Sequence, residues 1–190
     1  MELLLGIFSA FGLSASAGLN AYIPLLVVGT ISHYFPGIIN LAEPFDLLAN
    51  PWILILLGVL VIIEMVADKV PAVNHVNDII QTFIRPAAGA VAFAASANVI
   101  TDINPVLALA CGLLVAGSVH TVKAAAVRPA VTAATAGAGT TPASIIEDII
   151  AITTSILAIL LPIVMGTILI IGLSLLIYWW WRRTNKPQTA

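Results

Sequence analysis

Charge is scarce in this sequence. Only 8% of its 190 residues are Asp, Glu, Lys or Arg, where a soluble domain carries about 25%. With 61% hydrophobic residues and a mean hydropathy of +1.11, that scarcity excludes an ordinary globular domain and predicts a polytopic protein whose solvent is the lipid bilayer. There is one cysteine, Cys111, in an apolar stretch, so neither an intrachain disulfide framework nor a thiolate metal cluster is available. No basic run accompanies the net charge of −2, which leaves nothing for nucleic acid to bind. His33, His75 and His120 stand apart with no HxxxH or ExxH spacing, so no metal site is expected. A Walker loop and a GxSxG elbow are missing too, and neither a catalytic residue nor a cofactor is expected. The N-terminal apolar run has no positive leader and continues through YIPLLVVGTI, so it reads as a membrane helix rather than a cleaved signal.

What the chain has is apolar sequence in pieces of spanning length. Such segments run at about 3–31, 51–67, 84–101, 104–124, 145–161 and 163–181, against the roughly 20 residues that a crossing takes. The fold expected is an all-α polytopic membrane helix bundle of about six spans. One transmembrane domain covers 1–182 and a cytoplasmic tail covers 183–190, its last residues PQTA disordered. Pro162 and Gly166 divide what would otherwise be one overlong apolar stretch, predicting a tight turn there. With six spans the basic residues fall on one face: Lys69 and Arg85, then Lys123 and Arg128, then Arg182, Arg183 and Lys186. The opposite connections hold Glu43, Asp46 and Asp102 without Lys or Arg. The positive-inside rule then places both termini in the cytoplasm, with Tyr178 to Trp181 as an aromatic anchor at the inner headgroups.

Some charges fall where lipid would not tolerate them alone. In EMVADK, residues 64–69, only about 16 residues separate Pro51 from Asp68, or about 24 Å of helix, which puts Glu64 at inner-leaflet depth. Glu64 and Asp68 are four apart, share a helix face and repel unless a cation intervenes. The cations of VHTVKAAAVRP, with His120 and Lys123 on one face and Arg128 beyond, are natural partners for Glu64, Asp68 and Asp78. Glu147 and Asp148 open the fifth span, where Ser144 as N-cap and Glu147 at N3 would equally make an ordinary capping box. A shallow or tilted span whose charges sit among headgroups is the plain alternative for Glu64, Asp68 and Lys69.

The first segment is also polar in its middle. GLSASAGLNAYIP has small residues suited to close packing, and Pro24 deprives a carbonyl near Asn20 of its helical donor. IRPAAGAVAFAA from Ile84 and VRPAVTAATAGA from Val127 share the pattern [IV]RPAxxAxxxxA, which raises a two-half internal repeat. The segment 128–143 reads as a loop or a protein-lined re-entrant piece, and 70–84 as an amphipathic stretch at the inner interface before the third span.

Taken together, GLNAYIP at 18–24, EMVADKVP at 64–71, Asp78 to RPAAGA, HTVKAAAVRP at 120–129 and SIIEDIIA at 144–151 give a chain that resembles the domain-of-unknown-function 4126 family of bacterial multi-pass membrane proteins. The resemblance implies an integral protein of the bacterial inner membrane and carries no activity. A family aspartate falls on Asn74 or Asn77 here. From the residues, the leading expectation is a small transporter or channel-like permease for an ion or small solute, working as a homo-oligomer. Glu64, Asp68, Asn20, His120 and Lys123 would bind substrate or ion, with Lys69, Asp78, Arg85, Arg128, Glu147 and Asp148 as counter-charges. The alternatives are an assembly or lipid-organising protein whose buried charges are structural, and an intramembrane enzyme acting on lipid headgroups.

Overall fold

The computed structural model describes residues 2–98 and 104–184, without the side chains of 2, 3, 71–75, 97 and 98. Asp102, Lys186, the tail PQTA and the side chain of His75 lie outside the described residues. The chain folds into α1 (Glu2–Leu19), α2 (Tyr22–Tyr34), α3 (Pro51–Ala67), α4 (Pro71–Asn98), α5 (Pro105–Val122), α6 (Arg128–Thr135), α7 (Thr140–Leu160) and α8 (Pro162–Thr184). A 3-10 turn, Phe45–Ala49, precedes α3, and a π-helical turn, Lys123–Val127, joins α5 to α6. Among the described residues there is no strand. Proline opens α3, α4, α5 and α8, where its missing N–H would have had no helical partner. Two of these starts are Asn-Pro pairs: Asn50 accepts from the Trp52 N–H at 2.9 Å, and Asn104 from the Val106 N–H at 2.9 Å.

α1 is the axis of the bundle and packs on α2, α4, α5, α7 and α8. Ala10, Leu13, Ser14, Ser16 and Ala17 are all fully buried there, because small side chains let neighbouring backbones approach. Ser14 donates to the Gly112 carbonyl of α5 at 2.7 Å, Ser16 to the Ala151 carbonyl of α7 at 2.8 Å, and Ser96 of α4 to Ser9 at 3.1 Å. Gly89 and Gly112 meet where α4 crosses α5, and a Cβ on Gly112 would fall 2.6 Å from that of Phe93. The outside is the reverse of a soluble protein's. Trp52, Ile62, Phe83, Val106, Leu114, Leu176 and Trp180 are each more than 60% exposed, as lipid-facing side chains are. Four helical stretches, Val76–Ser96, Pro105–Thr135, Thr140–Leu160 and Pro162–Thr184, are long and apolar enough to cross a membrane; Leu4–Leu19, Tyr22–Tyr34 and Pro51–Ala67 are apolar but shorter.

Three sequence expectations are corrected. The stretch 3–31 is two antiparallel helices, not one span: α1 runs toward Asn20 and α2 runs back from it. Asn20 meets Asp148 near the start of α7 while Gly12 lies against Ala158 near its end, so α1 opposes α7. Ala21 meets Glu64 near the end of α3 while His33 bonds the Ala49 carbonyl just before its start, so α2 opposes α3. The N-terminal end of α1 therefore lies at the far end of the bundle from Glu64 and Asp148, and Pro24 sits in the first turn of a new helix rather than kinking an old one. Second, 70–84 is no separate interfacial piece, because α4 is continuous for 28 residues, about 42 Å, with Pro86 inside it. Third, 128–143 is neither loop nor re-entrant: α6 continues α5 through the π turn, and the chain turns back at Ala136 and Gly137, whose φ of 50° and 90° are left-handed. The predicted turn at Pro162 is present, with Leu161 alone between α7 and α8.

A buried charged layer beneath a cavity

The break at Asn20 and Ala21 leaves two helix ends inside the protein, and charged side chains satisfy both. The Ala21 N–H donates to Glu64 Oε2 at 3.0 Å, and the N–H groups of Tyr22 and Ile23 donate to Asn20 Oδ1 at 3.3 and 3.2 Å. Pro24 has no N–H to satisfy, so the free donors of the first turn of α2 are all accounted for. At the other end, Lys123 Nζ donates to the Leu19 carbonyl at 2.8 Å. A carboxylate at the positive end of α2 and an ammonium at the negative end of α1 are what the helix dipoles favour.

Around this break lies a layer of ion pairs. Glu64 and Asp68 share a face of α3, and the cation between them is Arg85 of α4, which is wholly buried. Its Nη2 donates to Glu64 Oε1 at 3.0 Å and to Asp68 Oδ2 at 3.2 Å, and its Nε to Glu64 Oε1 at 3.1 Å. Asp68 Oδ2 also takes Lys123 at 3.3 Å and Arg128 at 2.9 Å, while its Oδ1 accepts from Asn77 at 2.6 Å. Burial pushes the Asp68 carboxyl up, but Lys123, Arg85 and Arg128 together outweigh it and hold the group below the usual carboxylate range. Lys123 pairs with Glu147 at 2.8 Å, Arg128 with Asp78 at 3.0 Å, and Lys69 with Asp148 at 2.9 Å, and Asp148 in turn accepts from Asn20 at 3.1 Å. The arginines of the two Arg-Pro segments, Arg85 and Arg128, thus converge on one oxygen of Asp68.

His120 is read from its partners. Arginine only donates, so Arg85 Nη1 at 3.1 Å requires His120 Nδ1 to accept, which leaves the proton of a neutral ring on Nε2 facing Thr82 Oγ1 at 3.2 Å. Thr82 passes its own hydrogen to the Asp78 carbonyl at 2.8 Å. Donation therefore runs one way, from Arg85 through His120 and Thr82.

All eleven residues singled out from the sequence sit in this layer, though not always with the expected partner. Glu64 is held by Arg85 and the Ala21 N–H, while Lys123 goes to Asp68, Glu147 and the Leu19 carbonyl. The capping box at Ser144 is not formed: α7 begins four residues earlier, at Thr140, and Ser144 donates to the Asp68 carbonyl at 3.3 Å. Gln81 and Thr82 are site residues that the sequence reading misses, and it reaches Asn77 only as one of two places for a family aspartate. Asn77 and Gln81 precede Arg85 by eight and four residues on one face of α4, and both are buried, while Val76, Ile79, Ile80 and Phe83 face outward. That inverted amphipathic pattern was the available signal.

Beside the layer opens a cavity of about 910 Å³ between α4, the α5–α6 rod and α7. It reaches Asp78, Thr82, Arg128, Ser144 and Glu147 and stops short of Glu64 and Asn20. Among the described residues, no group of three or more His, Cys, Asp or Glu side chains could hold a metal ion.

A family model matches residues 7–183, from α1 to the end of α8. The chain belongs to that family, described as a domain of unknown function (DUF4126). Every residue of the charged layer lies inside the DUF4126 match. No curated protein and no solved structure matches the chain.

Proposed function

We propose that this DUF4126 protein is a small multi-pass membrane permease, in which the charged layer is an occluded site for an ion or small solute. The observation that carries the reading is the broken α1–α2 passage, whose two inner ends are held by Glu64 and Lys123 beneath a cavity bounded by Asp78, Arg128 and Glu147. Ionisable groups at membrane depth mark solute paths, and transporters build such sites where a helix is interrupted and its ends face the substrate. The π turn at Lys123 to Val127 points the same way, since such turns occur at functional places in helices. There the Arg128 N–H bonds the Lys123 carbonyl five residues back. By the positive-inside rule the face carrying Lys69, Arg85, Lys123 and Arg128 is cytoplasmic, so the cavity opens inward and a rearrangement of the layer would open it outward. The unit is small for alternating access, and we place it in a homo-oligomer.

Its test is flux in proteoliposomes, following protons with an entrapped pH dye and sodium, potassium and small amines in parallel. Wild type is expected to carry at least one of these above empty vesicles, and Glu64→Gln to lose most of that flux. Equal flux in the two proteins removes Glu64 from the site. A second reading, in which the same pairs only fix helix register, is favoured by one observation: Glu64 and Asn20 are 2% and 0% exposed and are not reached by the cavity. That reading expects no flux from wild type and a fall in stability alone from Glu64→Gln.

A further inference from the structure

The cavity has a chemistry of its own, set by where its hydrogens already go. Three hydroxyls on its wall have given their hydrogens to the protein. Thr82 Oγ1 donates to the Asp78 carbonyl at 2.8 Å, Thr140 Oγ1 to the Gly137 carbonyl at 2.8 Å, and Ser144 Oγ to the Asp68 carbonyl at 3.3 Å. The Arg128 guanidinium is spread over Asp68, Asp78 and Glu147. A hydroxyl whose hydrogen is committed offers only lone pairs. Asp78 and Glu147 add two carboxylates to the same wall against the one cation, and Asp78 Oδ1 is buried with no hydrogen-bond partner among the described residues. The layer as a whole has the same excess: Glu64, Asp68, Asp78, Glu147 and Asp148 face Lys69, Arg85, Lys123 and Arg128, with His120 neutral. The wall thus offers mainly acceptors and carries one carboxylate beyond its cation, with the Thr132 hydroxyl besides.

Its size and remaining lining choose among cations. About 910 Å³ is far more than a dehydrated inorganic ion fills and lies in the range of pockets that hold small molecules. Ile79 of α4 and Pro129 and Val131 of α6 supply apolar surface. We propose that this cavity binds a small organic cation, a protonated amine or guanidinium with an apolar body, its head held between Asp78 and Glu147. As the substrate class of the permease, this rests on the function proposed above; as a binding site it stands alone.

The experiment uses the full chain in nanodiscs, with empty nanodiscs as reference, and three probes sharing one apolar body: benzylammonium, benzyl alcohol and benzoate. Binding is read by equilibrium dialysis and by saturation-transfer NMR. Benzylammonium is expected to bind saturably while the alcohol and the carboxylate do not. Asp78→Asn should weaken it at least about tenfold, the loss of one charge-assisted contact. Because a change in an ion pair could disturb folding, Val131→Trp is the second variant: it puts an indole inside the cavity, replaces no charged residue, and should weaken binding at least about tenfold. Benzoate binding as tightly as benzylammonium, full displacement by equimolar potassium, or unchanged affinity in both variants would each overturn the proposal. Benzylammonium binding without flux in the vesicle assay removes the permease and leaves this site, and flux without benzylammonium binding does the opposite.

Discussion

Asp68 is the point at which the charged layer can be weighed. Its Oδ2 accepts from Arg85, Lys123 and Arg128 at 3.2, 3.3 and 2.9 Å, and its Oδ1 from Asn77 at 2.6 Å, with the side chain only 3% exposed. Asp68→Asn keeps the shape and removes the charge, and it also turns one acceptor into a donor. If the new oxygen faces the three cations, the new amide meets the Asn77 amide, donor against donor. Breaking a buried pair costs about 3–5 kcal/mol. The lower half of that range is expected, because each cation keeps another carboxylate: Arg85 keeps Glu64, Lys123 keeps Glu147, and Arg128 keeps Asp78. The assay is the unfolding midpoint in mixed micelles titrated with a denaturing detergent, followed by far-ultraviolet circular dichroism. Asp78→Asn is the control: its side chain is 23% exposed, its one ion-pair partner retains Asp68 and Glu147, and it should cost under about 1 kcal/mol, as solvent-screened pairs do. Asp68→Asn within about 1 kcal/mol of wild type, or the two variants equal, would refute the view that the cations depend on Asp68. The pH dependence has a definite sign. The folded-state pKa of Asp68 is lowered, so its contribution is present above the unfolded value near about 4 and is lost only as pH falls through the lower folded one.

Two further substitutions test the break and the packing. Asn20→Ala removes the cap of α2 and the amide bond to Asp148; it should cost about 1–2 kcal/mol for the cap, plus a smaller amount for the amide bond, on the same detergent titration, and no loss would mean the break is not held by Asn20. Gly112→Val places branched carbon against the Gly89 backbone and the Phe93 Cβ, so α4 and α5 must separate; a loss of more than about 3 kcal/mol is expected, with misassembly visible on size exclusion, and wild-type stability would refute the close crossing.

The helices were legible because lipid exposure demands long apolar runs and because proline and asparagine mark where they begin. Asn50 with Pro51, Asn104 with Pro105, and Pro162 each fall at a boundary that the structure has. The charged layer was legible for a related reason: so few charges exist that Glu64, Asp68, Lys123 and Arg128 could hardly be placed apart from one another. Which pairs formed was not. Pairing depends on the angular position of each helix, and a separate interfacial piece over 70–84 leaves α4 without an orientation. Once α4 is continuous, its face of Asn77, Gln81 and Arg85 must point inward, since Val76, Ile80 and Phe83 need the lipid. Arg85 then takes the place between Glu64 and Asp68 that a cation had to fill.

The reversal at Asn20 was the least visible feature, and the reason is physical. Hydropathy measures how much apolar surface a stretch offers, and α1 and α2 together offer an unbroken 3–31 whether the chain runs straight or turns back. A turn inside the bundle is allowed only if its exposed N–H and C=O groups find partners, and those lie 43 residues away at Glu64 and 104 away at Lys123. No local window contains them. The consequence reaches function: Glu64 and Lys123 hold the turn shut as well as each balancing a charge, so removing either loosens the α1–α2 junction and the ion layer together. A solute that drew Lys123 from the Leu19 carbonyl would be acting on the helix break itself, which is how a site so fully paired could still be made to open.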